Sequence, residues 1–299
     1  MKQRLETIVG TDNLLVNEPM AAHTTFRVGG PADYLVTPQG IDQIQQVTAV
    51  CREQDIPYML IGNGSNLLVS DAGYRGVIIQ LLDNYREISI QGKGIYAQAG
   101  ALFSTVARQA QKAGLAGMEF AGGIPGTIGG AMMMNAGAYG GEMKDIVSSV
   151  TVMDGEGRLA QYTCEEMAFG YRDSVLAHEE LYALEINLAL QEGDPEEIAA
   201  EMNRLAERRS SKQPLEFPSA GSTFKRPTGH YAGALIEEAG LKGYRLGGAM
   251  VSDKHCGFVI NADHASAADI RKLIEYIQKT VEEHSGVKMT PEVRFVGEF

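Results

Sequence analysis

The sequence has no tryptophan and only three cysteines, Cys51, Cys164 and Cys256. An odd count without a CxxC pair excludes a disulfide framework and a thiolate zinc site, and no metal is expected. Basic charge is also short. Twenty-six Lys and Arg face 38 Asp and Glu, for a formal net charge of −12. That argues against non-specific nucleic-acid or anionic-membrane binding, and an anionic substrate then needs a local basic pocket. No apolar run is long enough for a bilayer. The opening MKQRLETIVG carries charges but lacks the apolar segment of a secretory leader. A reducing, cytoplasmic location is expected. Two nucleotide signatures are missing as well. There is no GxxxxGK[ST], and the GxG at Gly62–Gly64 has Leu67 where a dinucleotide fingerprint has its third glycine.

Glycine, in contrast, is abundant, with 35 residues, and it concentrates in EFAGGIPGTIGGAMMMNAGAYGG, Glu119 to Gly141. A run this poor in side chains exists where something must touch the main chain. Successive N–H groups in such turns form anion-binding concavities, and a following helix adds positive potential. A diphosphate cradle is the reading. Ile124, Ile128 and Met132 to Met134 want burial, which argues against a flexible surface loop. A second loop, Gly62-Asn63-Gly64-Ser65-Asn66, lies between the apolar runs Tyr58–Ile61 and Leu67–Val69. Its residues supply positive-φ turns and free donors. Two such loops point to a diphosphate ligand held without a Rossmann fold.

The length of 299 residues suits about two domains, or three small ones. Residues 1–20 read as a short helix and a lead-in. Phe26 and Val28 alternate with Arg27 as on a half-buried strand, turned by Gly29-Gly30-Pro31. Arg27 is then either a solvated strand residue or a ligand contact. Helical spacing of Ile41, Ile44, Val47 and Cys51 precedes the strand Tyr58–Ile61, giving β-α-β. Further strands are expected at Val77–Leu82, Ile95–Ala99, Ile146–Met153 and Tyr182–Leu190, with a hairpin turn at Asp154–Gly157. Helices are expected over 101–113, 194–209, 230–239 and 266–284, with an irregular stretch through Gly248. Terminal strands fall near 257–261 and 291–296. The boundaries drawn are 1–80, 81–204 and 205–299.

Three further segments combine polar groups with tight turns: Phe169–Ser174, Ser219–Pro227 and Pro291–Phe295. Each has a bland reading. Arg172 pairs with a surface acid, Ser222 caps a turn, and Glu292 and Arg294 lie on the wet face of an edge strand.

Together, HTTFRVGGPAD at 23–33, GNGSNLL at 62–68, AGGIPGTIGGAMMMNAGAYG at 121–140, YRDS at 171–174, GSTFKRP at 221–227 and PEVRF at 291–295 resemble the UDP-N-acetylenolpyruvoylglucosamine reductases. The match spans nearly the whole chain, in order. The resemblance implies an α+β protein: a two-part FAD-binding domain of vanillyl-alcohol-oxidase type, then a C-terminal α+β substrate domain. It implies non-covalent FAD, NADPH as co-substrate, and reduction of UDP-N-acetylglucosamine enolpyruvate to UDP-N-acetylmuramate in peptidoglycan synthesis. NADPH and the sugar nucleotide use one site in turn, and a monomer is expected. Arg172, Ser222 and Glu292 match the catalytic positions: carboxylate grip, proton donor and polarising acid. Cofactor contacts are expected from Arg27, from Gly62, Asn63, Gly64, Ser65 and Asn66, and from Gly122, Gly123, Ile124, Pro125, Gly126, Thr127, Gly130 and Ala131. Lys225, Arg226 and Tyr231 are candidates for the substrate diphosphate, with Arg245, Lys254 and His255 beside them.

The chain departs from some members in two ways. Little room follows Arg172 for an inserted Tyr loop, so this resembles the shorter subtype, and Arg226 stands where some members have Asn. Two alternatives remain: another FAD oxidoreductase of the same fold, and a non-catalytic flavin-binding module. The first usually links its flavin through a His or Cys, which neither glycine loop contains. The second has no need of Arg172, Ser222 and Glu292 together.

Overall fold

The computed structural model describes all 299 residues, which form two compact units that interleave along the chain. The first comprises Met1–Val16, Tyr34–Asn63 and Gly76–Arg209, and the second Asn17–Asp33, Gly64–Arg75 and Ser210–Phe299. The boundaries expected at 80/81 and 204/205 therefore do not coincide with the compact units. Residues 17–33 and 64–75 pack with the C-terminal part, which a reading along the chain has no means of detecting.

In the first unit, an antiparallel sheet runs in the order Leu159–Thr163, Val147–Asp154, Leu181–Ala189, Gly94–Gln98, Ile88–Gln91. Its central strand alternates: Leu184, Ile186 and Leu188 are buried, while the residues between them are half-exposed. That period of two is what a sheet with one face on the core demands. Asp154 accepts the N–H groups of Glu156 and Arg158, each at 2.9 Å, and so closes the expected hairpin turn. A second sheet contains the parallel pair Tyr58–Ile61 and Tyr74–Gln80, connected to the helix Ile41–Glu53 as expected. Ile44, Val47 and Cys51 on that helix are fully buried.

The second unit packs the helices Ala232–Glu238 and Ala267–Ser285 on a three-stranded sheet, Arg245–Leu246, Ala249–Val251 and Val259–Asn261. The first strand falls in the stretch read from sequence as irregular and the second directly follows it, because two and three residues are too few to show a period. Strand Leu67–Val69 pairs in parallel with Arg294–Val296. The terminal strand thus begins at Arg294, three residues later than expected. A strand at Leu14–Pro19 likewise replaces the expected lead-in.

The long C-terminal helix has a strong start. Ser266 accepts from the Asp269 N–H at 3.0 Å, and Asp269 accepts back from Ser266 at 3.1 Å, a capping box. Asp71 adds two bonds, to the N–H groups of Ala267 and Ala268 at 2.8 and 2.9 Å. The backbone hydrogen bond from Ser266 holds the Asp269 carboxyl below its ordinary range, with burial opposing. A lowered folded value stabilises above the unfolded carboxylate value of about 3.9, and that contribution is lost as pH falls through the folded value. Asp269→Asn is expected to flatten the acid loss of stability below about pH 4 and to cost about 1 kcal/mol at neutral pH. Urea unfolding at several pH values measures both.

Candidate functional site

The two glycine loops touch within the first unit. The Asn63 side-chain amide donates to the Pro125 carbonyl at 2.6 Å. Gly62 lies so close to Thr127 that any Cβ there would overlap the Thr127 hydroxyl. Thr127 in turn starts the short helix Ile128–Met133, its hydroxyl accepting from the Gly130 N–H at 3.3 Å. The N–H groups of Gly62 and Asn63, and of Gly126 and Thr127, donate to no acceptor in the chain. Backbone donors left open on two adjoining turns are the set that a diphosphate takes, so these residues fit the implied dinucleotide. Gly130 is exposed, and a Cβ there meets only the Thr127 hydroxyl at 3.6 Å. Gly130→Ala is accordingly expected to leave the ligand-free protein as stable or up to about 1 kcal/mol more so. If Gly130 lines the cofactor site, flavin retention will fall. Thermal unfolding with and without added FAD separates the two effects.

Not every expected contact keeps a group for a ligand. Ala131 is buried at 4% exposure, its N–H donating to Thr127 and its carbonyl accepting from Ala136. Ile124 packs against the core of the first unit. Gly122 and Gly123 instead accommodate the helix Pro195–Lys212, with Met202 and Arg209 against them.

The turn carrying Arg172 is fastened to the glycine-rich stretch by three bonds. Asn135 donates to the Gly170 carbonyl at 3.0 Å, Ser174 to Met133 at 3.1 Å, and Arg172 to Gly137 at 2.9 Å. Asn135 is the hub. It is fully buried at φ 38, also donates to Glu142 at 2.8 Å, and accepts from the Lys144 N–H at 3.0 Å. Sequence reasoning passed over it, although an Asn within a glycine run is a signal for left-handed backbone. Arg172 itself sits at φ 53, a conformation that costs a non-glycine residue energy and recurs at functional sites.

In the second unit Ser222 and Glu292 come together through backbone pairing. The Glu292 N–H donates to Thr223 at 2.8 Å, the Lys225 N–H to Thr290 at 2.9 Å, and Phe224 bridges Pro291. Glu292 therefore lies in a short pairing beside Ser222 rather than on the wet face of a long edge strand. The Ser222 side chain is exposed and makes no hydrogen bond within the chain, so it caps no turn. Asn66 fixes the partner segment from the other side, its amide donating to the Glu292 carbonyl at 3.0 Å and its carbonyl accepting from Arg294 at 2.9 Å. Gly64 stands at φ +59 against the His23 carbonyl, where a Cβ would overlap that oxygen. This ties GNGSN to HTTFR. Ser65 keeps its N–H and hydroxyl unbonded.

Arg27 is not on a strand. Phe26 and Val28 are buried and Arg27 exposed, but through a turn: the Arg27 N–H donates to Thr24 at 3.1 Å, and Arg27 adopts φ 56. The burial alternates as read, for a different reason. Thr25 carries a buried hydroxyl without a partner. Arg226 stacks over Tyr231 at 3.9 Å and donates to His230 at 3.3 Å, leaving Tyr231 65% exposed. Lys225 has no carboxylate partner. Lys254 is occupied by Ser210 at 2.7 Å and Glu216 at 3.7 Å. The His255 Nδ1 accepts from Gly257 at 3.0 Å, and burial pushes its pKa below the ordinary value.

Two adjoining glycine turns with open backbone donors define the first unit as a diphosphate-binding fold. The family model described as an FAD binding domain matches residues 32–163, and the model for the C-terminal domain of UDP-N-acetylenolpyruvoylglucosamine reductase matches 213–296. A UDP-N-acetylenolpyruvoylglucosamine reductase of Clostridioides difficile is 53% identical over 98% of this chain and 97% of its own length. One from Caldanaerobacter subterraneus is 50% identical over 99% and 97%. The crystal structure of the Thermus caldophilus enzyme superposes with a TM-score of 0.81 at 36% identity, covering 95% of this chain and 98% of that one. The chain belongs to the UDP-N-acetylenolpyruvoylglucosamine reductase family.

Proposed function

We propose that the chain reduces UDP-N-acetylglucosamine enolpyruvate to UDP-N-acetylmuramate, with NADPH as reductant, in peptidoglycan precursor synthesis. Near-complete coverage of relatives about half identical carries this reading. When bound, FAD would supply the hydride chemistry, with NADPH as its reductant. The open donors of Gly62, Asn63, Gly126 and Thr127 would hold its diphosphate.

The chain's own residues manage charge and the proton. Hydride addition to the enolpyruvyl methylene carbon pushes negative charge toward the substrate carboxylate. Arg172 grips that carboxylate with two donors and stabilises the developing charge. Glu292 polarises the same group. Ser222 delivers its proton to the adjacent carbon, completing reduction of the double bond. A hydroxyl is a weak acid, but the carbanion is a strong base. Lys225, Arg226 and Tyr231 meet the sugar nucleotide's diphosphate, and the exposed Arg226–Tyr231 stack supports that assignment. The reading is of a monomer acting in the cytoplasm, and no helix is long and apolar enough to cross a membrane.

Visible spectra test it. The purified protein is expected to show flavin bands that bleach with NADPH anaerobically and return on adding the enolpyruvyl sugar nucleotide. Bands that bleach but do not return would overturn the substrate. A protein that takes up no flavin would overturn the reading entirely.

A further inference from the structure

One cation in the first unit has no counter-charge. Arg209 stands near the end of the helix Pro195–Lys212, and its Nε is buried without an acceptor. Other arginines of this helix are accounted for. Arg204 grips Glu201 through two bonds of 2.6 Å, and Arg208 lies over the Tyr139 ring at 5.1 Å. No carboxylate pairs with Arg209, and Tyr139 is its only titratable neighbour of consequence. Burial pushes its pKa below the ordinary value, the mark of a charge taken from water without compensation.

The stem explains how the head is held. The Arg209 Cδ lies 2.9 Å from where a Cβ on Gly123 would stand, and the Met202 methyl lies equally close, 2.9 Å, to the same point on Gly122. Two missing side chains thus let the helix lie against the glycine-rich stretch. Only three residues beyond Gly123, the open N–H groups of Gly126 and Thr127 begin. A guanidinium nitrogen buried without an acceptor is costly, and here it is the Nε of a half-buried arginine. This chain has 38 acidic residues, and none is placed to relieve it. The missing anion therefore comes from outside the chain. A planar fork packed on Gly123, three residues along the chain from open backbone donors, suits phosphate oxygens.

We propose that Arg209 is a phosphate-binding residue, its guanidinium taking an oxygen of a bound nucleotide's diphosphate. The proposal rests on the flavoprotein reading above. Two sources share this chemistry, the dinucleotide cofactor and the UDP-sugar. Arg209→Met keeps a stem against Gly123 and removes the charge, whereas Arg209→Lys keeps the charge. Two measurements on the flavin-loaded protein separate the sources: flavin release on dilution, read by recovery of flavin fluorescence, and UDP binding by calorimetry. Arg209→Met is expected to weaken one of them about ten- to a hundredfold, with Arg209→Lys restoring most of the loss. The measurement that responds names the source. The flavin-stripped Arg209→Met protein is expected to melt no lower than wild type, because an unpaired charge has been removed. Wild-type values for both ligands in Arg209→Met would overturn the proposal and leave the flavoprotein reading intact. A lowered melting temperature with both variants equally weak would assign Arg209 to packing instead, and would also overturn it. Failure of the wild-type protein to take up flavin would remove the reading on which the proposal rests.

Discussion

Ser222→Ala is expected to slow re-oxidation of the reduced flavin by the enolpyruvyl sugar nucleotide about 10²- to 10⁴-fold, the usual range for loss of a positioned acid. Bleaching by NADPH is expected to proceed at the wild-type rate, since that half-reaction needs no proton from Ser222. The fold gives the substitution little else to disturb. The side chain is exposed and unbonded, and Ser222 reaches its place through neighbouring backbone, with Thr223 accepting from Glu292. Stability is expected to stay within about 0.5 kcal/mol. Stopped-flow spectra of each half-reaction decide the matter. Equal re-oxidation rates in variant and wild type would remove Ser222 as the proton donor.

Arg172→Lys is the second large expectation. It retains the charge but loses the two-donor fork, and lysine is a poor replacement where a carboxylate is gripped bidentately. A drop in kcat of about 10²- to 10³-fold is expected for the overall reaction. The turn itself is expected to survive, because two of its fastenings, from Asn135 and Ser174, do not involve the Arg172 side chain. Flavin content per chain then stays at the wild-type ratio. A variant that loses flavin as well as rate would show that the bond from Arg172 to Gly137 supports the glycine-rich stretch rather than the reaction alone.

The glycine loops were legible in the sequence because the constraint is local. A position where a Cβ would strike Thr127 or the His23 carbonyl must be glycine, and such positions cluster visibly. Helices with a clear apolar face, such as Ile41–Glu53, were legible for the same kind of reason. Arg27 shows how a pattern can be right and its cause wrong, since a turn about a left-handed residue also buries every second side chain. The pairing of Thr223 with Glu292 spans 69 residues and rests on a few backbone bonds, so no periodicity announces it. Arg209 was invisible for another reason. In a charged helix it looks the same as Arg204 and Arg208, and only the packed structure distinguishes the arginine whose Nε is buried without an acceptor. The interleaving of the two units was equally hidden, because composition does not change where the chain passes from one to the other.

That interleaving has a consequence for synthesis. Strand Leu67–Val69 pairs with Arg294–Val296, so Leu67 waits 227 residues for its partner. At about 5–20 residues per second on the ribosome, the wait is on the order of 10 to 45 seconds. Throughout it, Phe26, Val28 and Leu68, all buried in the finished second unit, have no core to enter. The first unit receives its last segment at Arg209, some 90 residues before the chain ends. The nascent protein therefore presents a completed half and an apolar remnant to the cell's chaperones at the same moment. Cutting the chain after Arg209 would make that transient state permanent.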